Sequence, residues 1–329
     1  MRSACRNRRS EEGDWRRKDA GWNRVWSVIL AGGNGSRLMG AVVDGRVVDR
    51  PKQFLRFGGA PSLLHMTLAR ASHATPSSRL VPVVADDHRD WWPAELCEIA
   101  GRNTLVQPAN RGTAVAILHA LLHILLRDRD PIVVVHPCDH GVDHEAPLIQ
   151  SLDQAIEAAS NSRHDLVMLG AVPGHPETEY GWILPEPGSV ASVRRVRGFV
   201  EKPSPGVAAR LLHQGALWNT FLFAASGRAL LGLFRRSLPR LVRAYVGRMP
   251  RTGWCLDSLA RLYASLPVLD FSRDVLERST DRLRVARMPA CGWTDLGTAV
   301  RLESWLARRR RFSSLASVHD SPLARSGSG

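Results

Sequence analysis

The sequence predicts an α/β domain built on a mostly parallel sheet with helices on both faces. Three observations predict it. From Val25 onward, short runs rich in β-branched residues alternate with segments of helical spacing, a βαβα rhythm that implies parallel strands joined by crossovers. The run "PIVVVHP" (131–137) is apolar at consecutive positions, as a strand covered on both faces requires. The first run, "VWSVILA" (25–31), breaks directly into "GGNGSR" (32–37), and the carboxyl edge of such a sheet is where a binding crevice opens.

The elements follow in order. After the strand at 25–31 come a helix at "SLLHMTLARAS" (62–72) and a strand at "LVPVVA" (80–85). "GTAVAILHALLHILL" (112–126) has the spacing of a long buried helix, and 131–137 is the next strand. "LIQSLDQAIEAAS" (148–160) is helical and "DLVMLGAV" (165–172) is a strand. After Pro173 the rhythm shortens to strands with turns, "YGWILPEP" and "SVRRVRGFVEKP", and isolated helices, expected to pack on the same sheet. Residues 1–24 lack apolar periodicity and are expected to be disordered, so the folded domain runs from 25 to 307. The tail at 308–329 is expected to be unstructured, its run Arg308–Arg311 closing a helix whose dipole favours cations.

Charge and cysteine content narrow the class. Of the formal +14 over 329 residues, each end carries a net +4, leaving +6 on the long body between. Basic tails on an ordinary globular body argue against a nucleic-acid face. Only three lysines occur, Lys18, Lys52 and Lys202, among 45 basic residues, so a lysine retained in the body marks a place where arginine could fail. Five scattered cysteines argue against a disulfide framework or a zinc site and suit a reducing, cytoplasmic compartment. The apolar run from Val25 to Ala31 is too short for a signal-peptide core or a membrane span.

The glycine stretch admits three phosphate-loop readings. A P-loop needs Gly-Lys-Ser/Thr, and here Gly35 is followed by Ser36 and Arg37. A dinucleotide fingerprint needs a third glycine three residues after Gly35, and this loop lacks it. What remains is a loop of exposed backbone N–H groups ending in a guanidinium, suited to a polyphosphate, beside the plain alternative of a tight turn after a buried strand. "RPKQFL" (50–55) then places Lys52 within reach of the same crevice.

Taken with "GGNGSRL" and "PKQ", six later stretches complete a pattern in chain order: "QPANRGTAVAI" (107–117), "VHPCDH" (135–140), "HPETEYGWI" and "FVEKP" (175–183, 199–203), "LWNTFLF" (217–223) and "GWTDLG" (292–297). The pattern resembles the sugar-1-phosphate nucleotidyltransferases, and within them the mannose-1-phosphate guanylyltransferases. The resemblance implies the Rossmann-like, GT-A-like fold of nucleotide-diphospho-sugar transferases, with a nucleotide half at 25–172 and a sugar-binding half at 173–307. It implies transfer of a nucleoside monophosphate from an NTP to a sugar-1-phosphate, with release of pyrophosphate. The expected partners are small molecules, with no membrane and a homodimer left open.

By the same resemblance, Arg37 and Lys52 are expected on the phosphates, and Asp139 and Asp295 are expected to hold Mg²⁺. Leu30, Ala31, Gly32, Gly33 and Gly35 are expected around the nucleotide, with Gln107, Gly112 and Thr113 at the base. Tyr180, Gly181, Glu201, Lys202 and Asn219 are expected at the sugar phosphate. Asp139 and Asp295 taken singly would also suit helix or turn caps. The trio His136, His140 and His144 would align only on a helix, which Pro137 forbids, so a metal site there is not expected. Trp91, Trp92, Leu118 and Leu121 are expected to be packing residues.

The chain also departs from the family pattern. Gln107 and Gly112 stand where the guanylyltransferases usually carry glutamate and asparagine, and Glu179 and Phe221 stand where glycine is usual. Gln107 brings a donor as well as an acceptor, which leaves another base, in dTTP or UTP, and another hexose such as glucose-1-phosphate open as alternatives, along with a binding-only relative. The longer stretch at 39–50 is expected to form a lid or hairpin over the triphosphate. Only 34 residues follow Asp295, so a single activity is expected.

Overall fold

The computed structural model describes residues 22–319 apart from 36, 58, 163, 189–191 and 249–254. Its first half runs β1 (Val25–Ala31), a short hairpin of β2 (Val42–Val43) and β3 (Arg46–Val47), α1 (Leu63–Ser72), β4 (Leu80–Ala85), α2 (Trp92–Glu95), β5 (Leu105–Gln107), α3 (Thr113–Leu125), β6 (Ile132–Pro137), β7 (His140–Gly141), α4 (Glu145–Asn161) and β8 (Leu166–Ala171). The second half adds β9 (Gly181–Pro185), β10 (Val193–Glu201), α5 (Pro205–His213), β11 (Leu217–Ser226), α6 (Gly227–Ser237), α7 (Pro239–Val246), α8 (Leu256–Ser265), β12 (Leu283–Met288), β13 (Thr294–Asp295) and α9 (Ala299–His319).

Nine strands form one sheet in the order β5-β4-β1-β6-β11-β8-β12-β10-β9. The block β5-β4-β1-β6 is wholly parallel, as the βαβα rhythm requires. Beyond it the expected parallel character gives way. β11 runs antiparallel to β6 and β8, and β10 antiparallel to β12 and β9; only β12 and β8 remain parallel. The reason is local: the 186–192 connection between β9 and β10 is too short for a crossover, so those strands reverse.

Both faces are covered. Along β6, Val133 and Val135 join the core under α3, α6, α7 and α8, while Ile132 and Val134 join the core under α4. A third cluster packs Ile29 and Val84 against Leu64 and Leu68 of α1. Leu118 and Leu121 are fully buried, and Trp91 stacks on Phe54 at 6.1 Å, so these are packing residues as expected.

Three segment expectations are corrected. Residues 22–24 form a 3-10 turn, with Trp22 packed on the α4 core and Arg24 ion-paired to Asp130. Residues 1–21 and 320–329 lie outside the described residues. The tail expected from 308 is helical to His319, because α9 is anchored upstream by Leu302, Trp305 and Leu306. The arginine run sits within that helix: Arg308 donates to Asp143 (2.6 Å), Arg309 lies over the Trp305 ring and Arg310 pairs with Asp44. The 39–50 stretch does form a hairpin, turned at Asp44 (φ +55°) and Gly45 (φ +70°). It is tied to α9 rather than laid over the crevice, since Val43 and Val48 share one core with Trp305 and Leu296.

Gly112 caps α3 with φ +84°, and a Cβ there would fall 2.2 Å from the Leu269 carbonyl oxygen. Gly112→Ala should therefore destabilise by about 3 kcal/mol. Gly232→Ala, inside α6 with open space around it, should instead gain up to ~1 kcal/mol. Urea unfolding of the two variants should move their midpoints in opposite directions.

Candidate active site

The glycine loop is held from beneath. Buried Gln53 donates from Nε2 to the carbonyls of Ala31 and Gly33, each at 2.9 Å, so one amide satisfies the end of β1 and the loop that follows. Gly35 adopts φ +61° and lies on the Pro51–Lys52 backbone, where a Cβ would be 3.0 Å from the Lys52 nitrogen. That contact requires glycine and delivers Lys52 to the loop. At the end of β6, Cys138 donates from Sγ to the Leu30 carbonyl (2.9 Å), and the next residue, Asp139, meets Lys52 with Nζ 2.8 Å from Oδ2.

Asp295 arrives from the other half of the chain. β13 pairs antiparallel with β7, placing Asp295 opposite His140 and beside Asp139. Its Oδ1 accepts from the Tyr180 hydroxyl (2.6 Å) and from Arg301 Nη1 (2.7 Å). Arg301 also pairs with Glu177, and Arg37 donates to Glu179 Oε2 at 2.8 Å. A cavity of about 240 Å³ results, lined by Leu30, Gly33, Gly35, Arg37, Lys52, Asp139 and Asp295, with Gln53 among the rest of its wall.

These pairs set the protonation states. Burial pulls the Lys52 ammonium down, but Asp139, with Asp295 behind it, outweighs burial and raises it overall. Burial works against the Asp139 carboxylate too, yet Lys52 and His140 hold it down to about 2. His140 is brought down to about 4 by burial and is neutral at pH 7. Burial and the Asp295 carboxylate push the Tyr180 hydroxyl well above its ordinary range, so it remains a donor. At neutral pH the cavity thus presents the Asp139 carboxylate and the Lys52 ammonium as charged groups.

The remaining expected residues fall into two groups beside this cavity. Gln107 ends β5 at the sheet's carboxyl edge, its Oε1 against Gly32 and its Nε2 donating to the Tyr263 hydroxyl (3.1 Å). Gly112 packs on Leu269, and the Thr113 hydroxyl accepts from the Phe271 N–H (2.8 Å), so Thr113 is tied into the scaffold. In the second group Gly181, Glu201 and Asn219 converge: a Cβ on Gly181 would lie 2.5 Å from Glu201 Oε2 and 3.2 Å from Asn219 Cβ. Lys202, at φ +48°, donates its N–H to the Tyr180 carbonyl. Phe221, where glycine is usual in the family pattern, adopts φ +58°, and its N–H donates to Asn219 Oδ1 (3.0 Å).

Sequence reasoning missed three participants. Gln53 stands inside "PKQ" but its fastening role depends on where β1 ends. Arg301 lies on α9 and carries no motif. Tyr263 reaches Gln107 from a helix remote in the chain.

The histidine trio does not converge on a metal: His136 is fully buried on β6, and His140 Nδ1 accepts from Trp293 Nε1 (3.2 Å). Among the described residues no three His, Cys, Asp or Glu side chains gather as a metal cluster. Asp139 and Asp295 each keep an oxygen outside their hydrogen bonds and ion pairs of normal length, Oδ1 and Oδ2 respectively. Two carboxylate oxygens on one cavity fit a hard divalent cation that completes its shell with water and phosphate.

A family profile described as "Nucleotidyl transferase" matches residues 26–305. The chain belongs to the nucleotidyl transferase family. This family member is 29% identical over 284 residues to a mannose-1-phosphate guanylyltransferase of Escherichia coli, covering 82% of this chain and 59% of that protein. It is 31% identical over 282 residues to the xanthan biosynthesis protein XanB of Xanthomonas campestris, covering 83% and 58%. The chain therefore spans about three-fifths of the length of these curated relatives. Among solved structures, a Thermus thermophilus protein described as a mannose-1-phosphate geranyltransferase superposes with a TM-score of 0.69 at 32% identity, covering 83% of this chain and 76% of that one. Among the described residues no helix is long and apolar enough to cross a membrane.

Glu201 makes the site's most legible pH dependence. Its Oε2 is buried without a hydrogen-bond partner, and burial, then the charge of Asp270, push the carboxyl up to about 7. A carboxyl raised in the folded state supports the fold fully below its ordinary value near 4.5 and loses that support as pH rises through about 7. Glu201→Gln should therefore gain stability over the parent between pH 4.5 and 7.5, by on the order of 2 kcal/mol, with no further gain above. Thermal melts across that range check the sign.

Proposed function

We propose that the chain transfers a nucleoside monophosphate from an NTP to a sugar-1-phosphate, and that the pair is GTP with mannose-1-phosphate, giving GDP-mannose and pyrophosphate. The observation that carries the reading is the convergence of Arg37, Lys52, Asp139 and Asp295 on one cavity walled by the glycine loop. The relatives' names support the choice of sugar and base.

Both reactants are anions, so repulsion and misalignment dominate the barrier, and the protein's task is fixed positive charge and in-line placement. The loop amides and Arg37 receive the triphosphate, Arg37 exchanging Glu179 for phosphate. An oxygen of the sugar phosphate attacks the α-phosphorus, the new P–O bond forms, and the bond from that phosphorus to the β-phosphate oxygen breaks. Lys52 offsets charge gathering on the phosphate oxygens as it leaves Asp139. Asp139 and Asp295 would hold Mg²⁺, which would supply Lewis-acid stabilisation of the charge on the phosphate oxygens. Tyr180 and Arg301 hold the Asp295 carboxylate through Oδ1 and leave Oδ2 uncommitted. Gln107 meets the base, Lys202 contacts the phosphate of the sugar-1-phosphate, and Glu201 and Asn219 bond the sugar hydroxyls, with Gly181 allowing close approach.

Pyrophosphate release with Mg²⁺ should be measured for five NTPs against mannose-1-phosphate, glucose-1-phosphate and other sugar-1-phosphates. Release with GTP and mannose-1-phosphate above every other pair is expected. Preference for a different pair would overturn the specificity, and silence across the panel would overturn the reaction.

Lys52 is mostly enclosed and its Nζ lies 2.8 Å from Asp139 Oδ2, a placement that a wider, planar guanidinium with its own hydration does not reproduce. Lys52→Arg should keep the fold and lower kcat/KM at least ~10-fold. Steady-state kinetics beside a thermal melt check this.

A further inference from the structure

The stretch "HPETEY" (175–180) carries two acidic side chains, and the fold uses them differently. Glu177 is a fastening residue. Its Oε1 accepts from the Glu179 N–H (2.9 Å), its Oε2 pairs with Arg301, and its carbonyl accepts from Trp182 Nε1 (2.8 Å). On the other side, Tyr180 is held through its hydroxyl on Asp295 and through its carbonyl, which takes the Lys202 N–H. The Glu179 backbone is thus pinned from both sides with no contribution from its own side chain.

That side chain has one partner among the described residues, the Arg37 guanidinium at 2.8 Å. Both members of the pair are about half exposed, whereas Glu177 and Arg301 are mostly enclosed. The Arg37–Glu179 pair therefore opens by side-chain rotation alone, with no loop displaced and no charge stranded in a dry interior. Arg37 lines the cavity beside Gly33 and Gly35, so Glu179 engages the same guanidinium that a polyphosphate needs. Glycine, usual at this position in the family pattern, would supply no such rival.

We propose that Glu179 is an intramolecular competitor for the phosphate site, holding Arg37 until a triphosphate displaces it and reclaiming Arg37 as pyrophosphate leaves. The inference rests on the reaction proposed above, which names the two anions. A triphosphate brings more charge and more oxygens than one carboxylate, and it has Lys52 and the loop amides as further partners, so it wins the guanidinium. Pyrophosphate has lost the nucleoside and the contacts made through the base, and the carboxylate competes with it more evenly. The competition therefore weakens substrate and product alike, and its benefit is a product that does not linger. An exposed ion pair limits the effect to a few-fold.

The test is calorimetric titration of inorganic triphosphate, and separately of pyrophosphate, into the parent, Glu179→Gln, Arg37→Gln and the double variant at low ionic strength. Glu179→Gln should bind both anions about two- to fivefold more tightly, and the gain should vanish in the Arg37→Gln background, as a double-mutant cycle requires of groups that act through one contact. In turnover, KM for the NTP should fall and inhibition by pyrophosphate should strengthen by the same factor. Affinity that is unchanged or weakened in Glu179→Gln overturns the inference. So does a gain that persists without Arg37, which would be general charge repulsion, and so does a parent that binds neither anion. Tightened anion binding with no turnover for any substrate pair leaves the competition standing and overturns the reaction.

Discussion

Cations at the half-buried edge of a sheet need counter-charges when no anionic ligand is bound. The Lys52–Asp139 pair meets that constraint, and the surrounding structure is arranged about it. Asp139 is brought there by β6 and Lys52 by the Pro51–Lys52 backbone packed on Gly35. The same logic repeats outward, with Arg301 on Asp295 and Glu177, and Arg37 on Glu179. The pairs differ in environment: Lys52 is mostly enclosed, whereas Arg37 and Glu179 are about half exposed. Solvent screens the outer pair, so it is the easier to exchange for phosphate.

These pairs also explain how a domain with one continuous sheet can be built from two unlike halves. Arg37, Lys52 and Asp139 come from the parallel half, and Glu177, Glu179, Asp295 and Arg301 from the half where strands reverse. β11, running antiparallel between β6 and β8, is the seam. The reversal sets Glu201 at the end of β10 opposite Gly181 at the start of β9, and Tyr180 just before it reaches Asp295. A wholly parallel sheet would have kept every strand's carboxyl end on one edge and required a crossover helix for each.

Much of the fold was legible because its strands and helices are long and strongly patterned. The periods of 25–31, 112–126 and 131–137 follow from burial on one or both faces, and each element appears at those positions. Asp139 was legible for the same reason, as a polar residue just past a buried strand. The rest depends on contacts between remote segments. That α9 continues through four arginines is decided by Asp143 and Asp44, which accept two of them, and by Trp305, which carries a third. Nothing local in the arginine run shows it. Gln53 and Arg301 were illegible as actors because their partners, the carbonyls of β1 and the carboxylates of 177 and 295, are set by topology.

Gln107 shows where residue identity alone is insufficient. As a residue type it offers both a donor and an acceptor, and a comparison of motifs therefore leaves the base open. In the fold its Nε2 donates to a hydroxyl from α8, which lies beside an imidazole from α3, and no motif contains either group. Glutamine in a buried network differs from glutamine on a loop, since one of its amide hydrogens is already committed. The same reasoning applies to Glu201, whose burial makes it a carboxyl that titrates near neutrality rather than a fixed anion. In both cases the ligand would meet the state that surrounding atoms impose, and those atoms belong to elements far away in the chain.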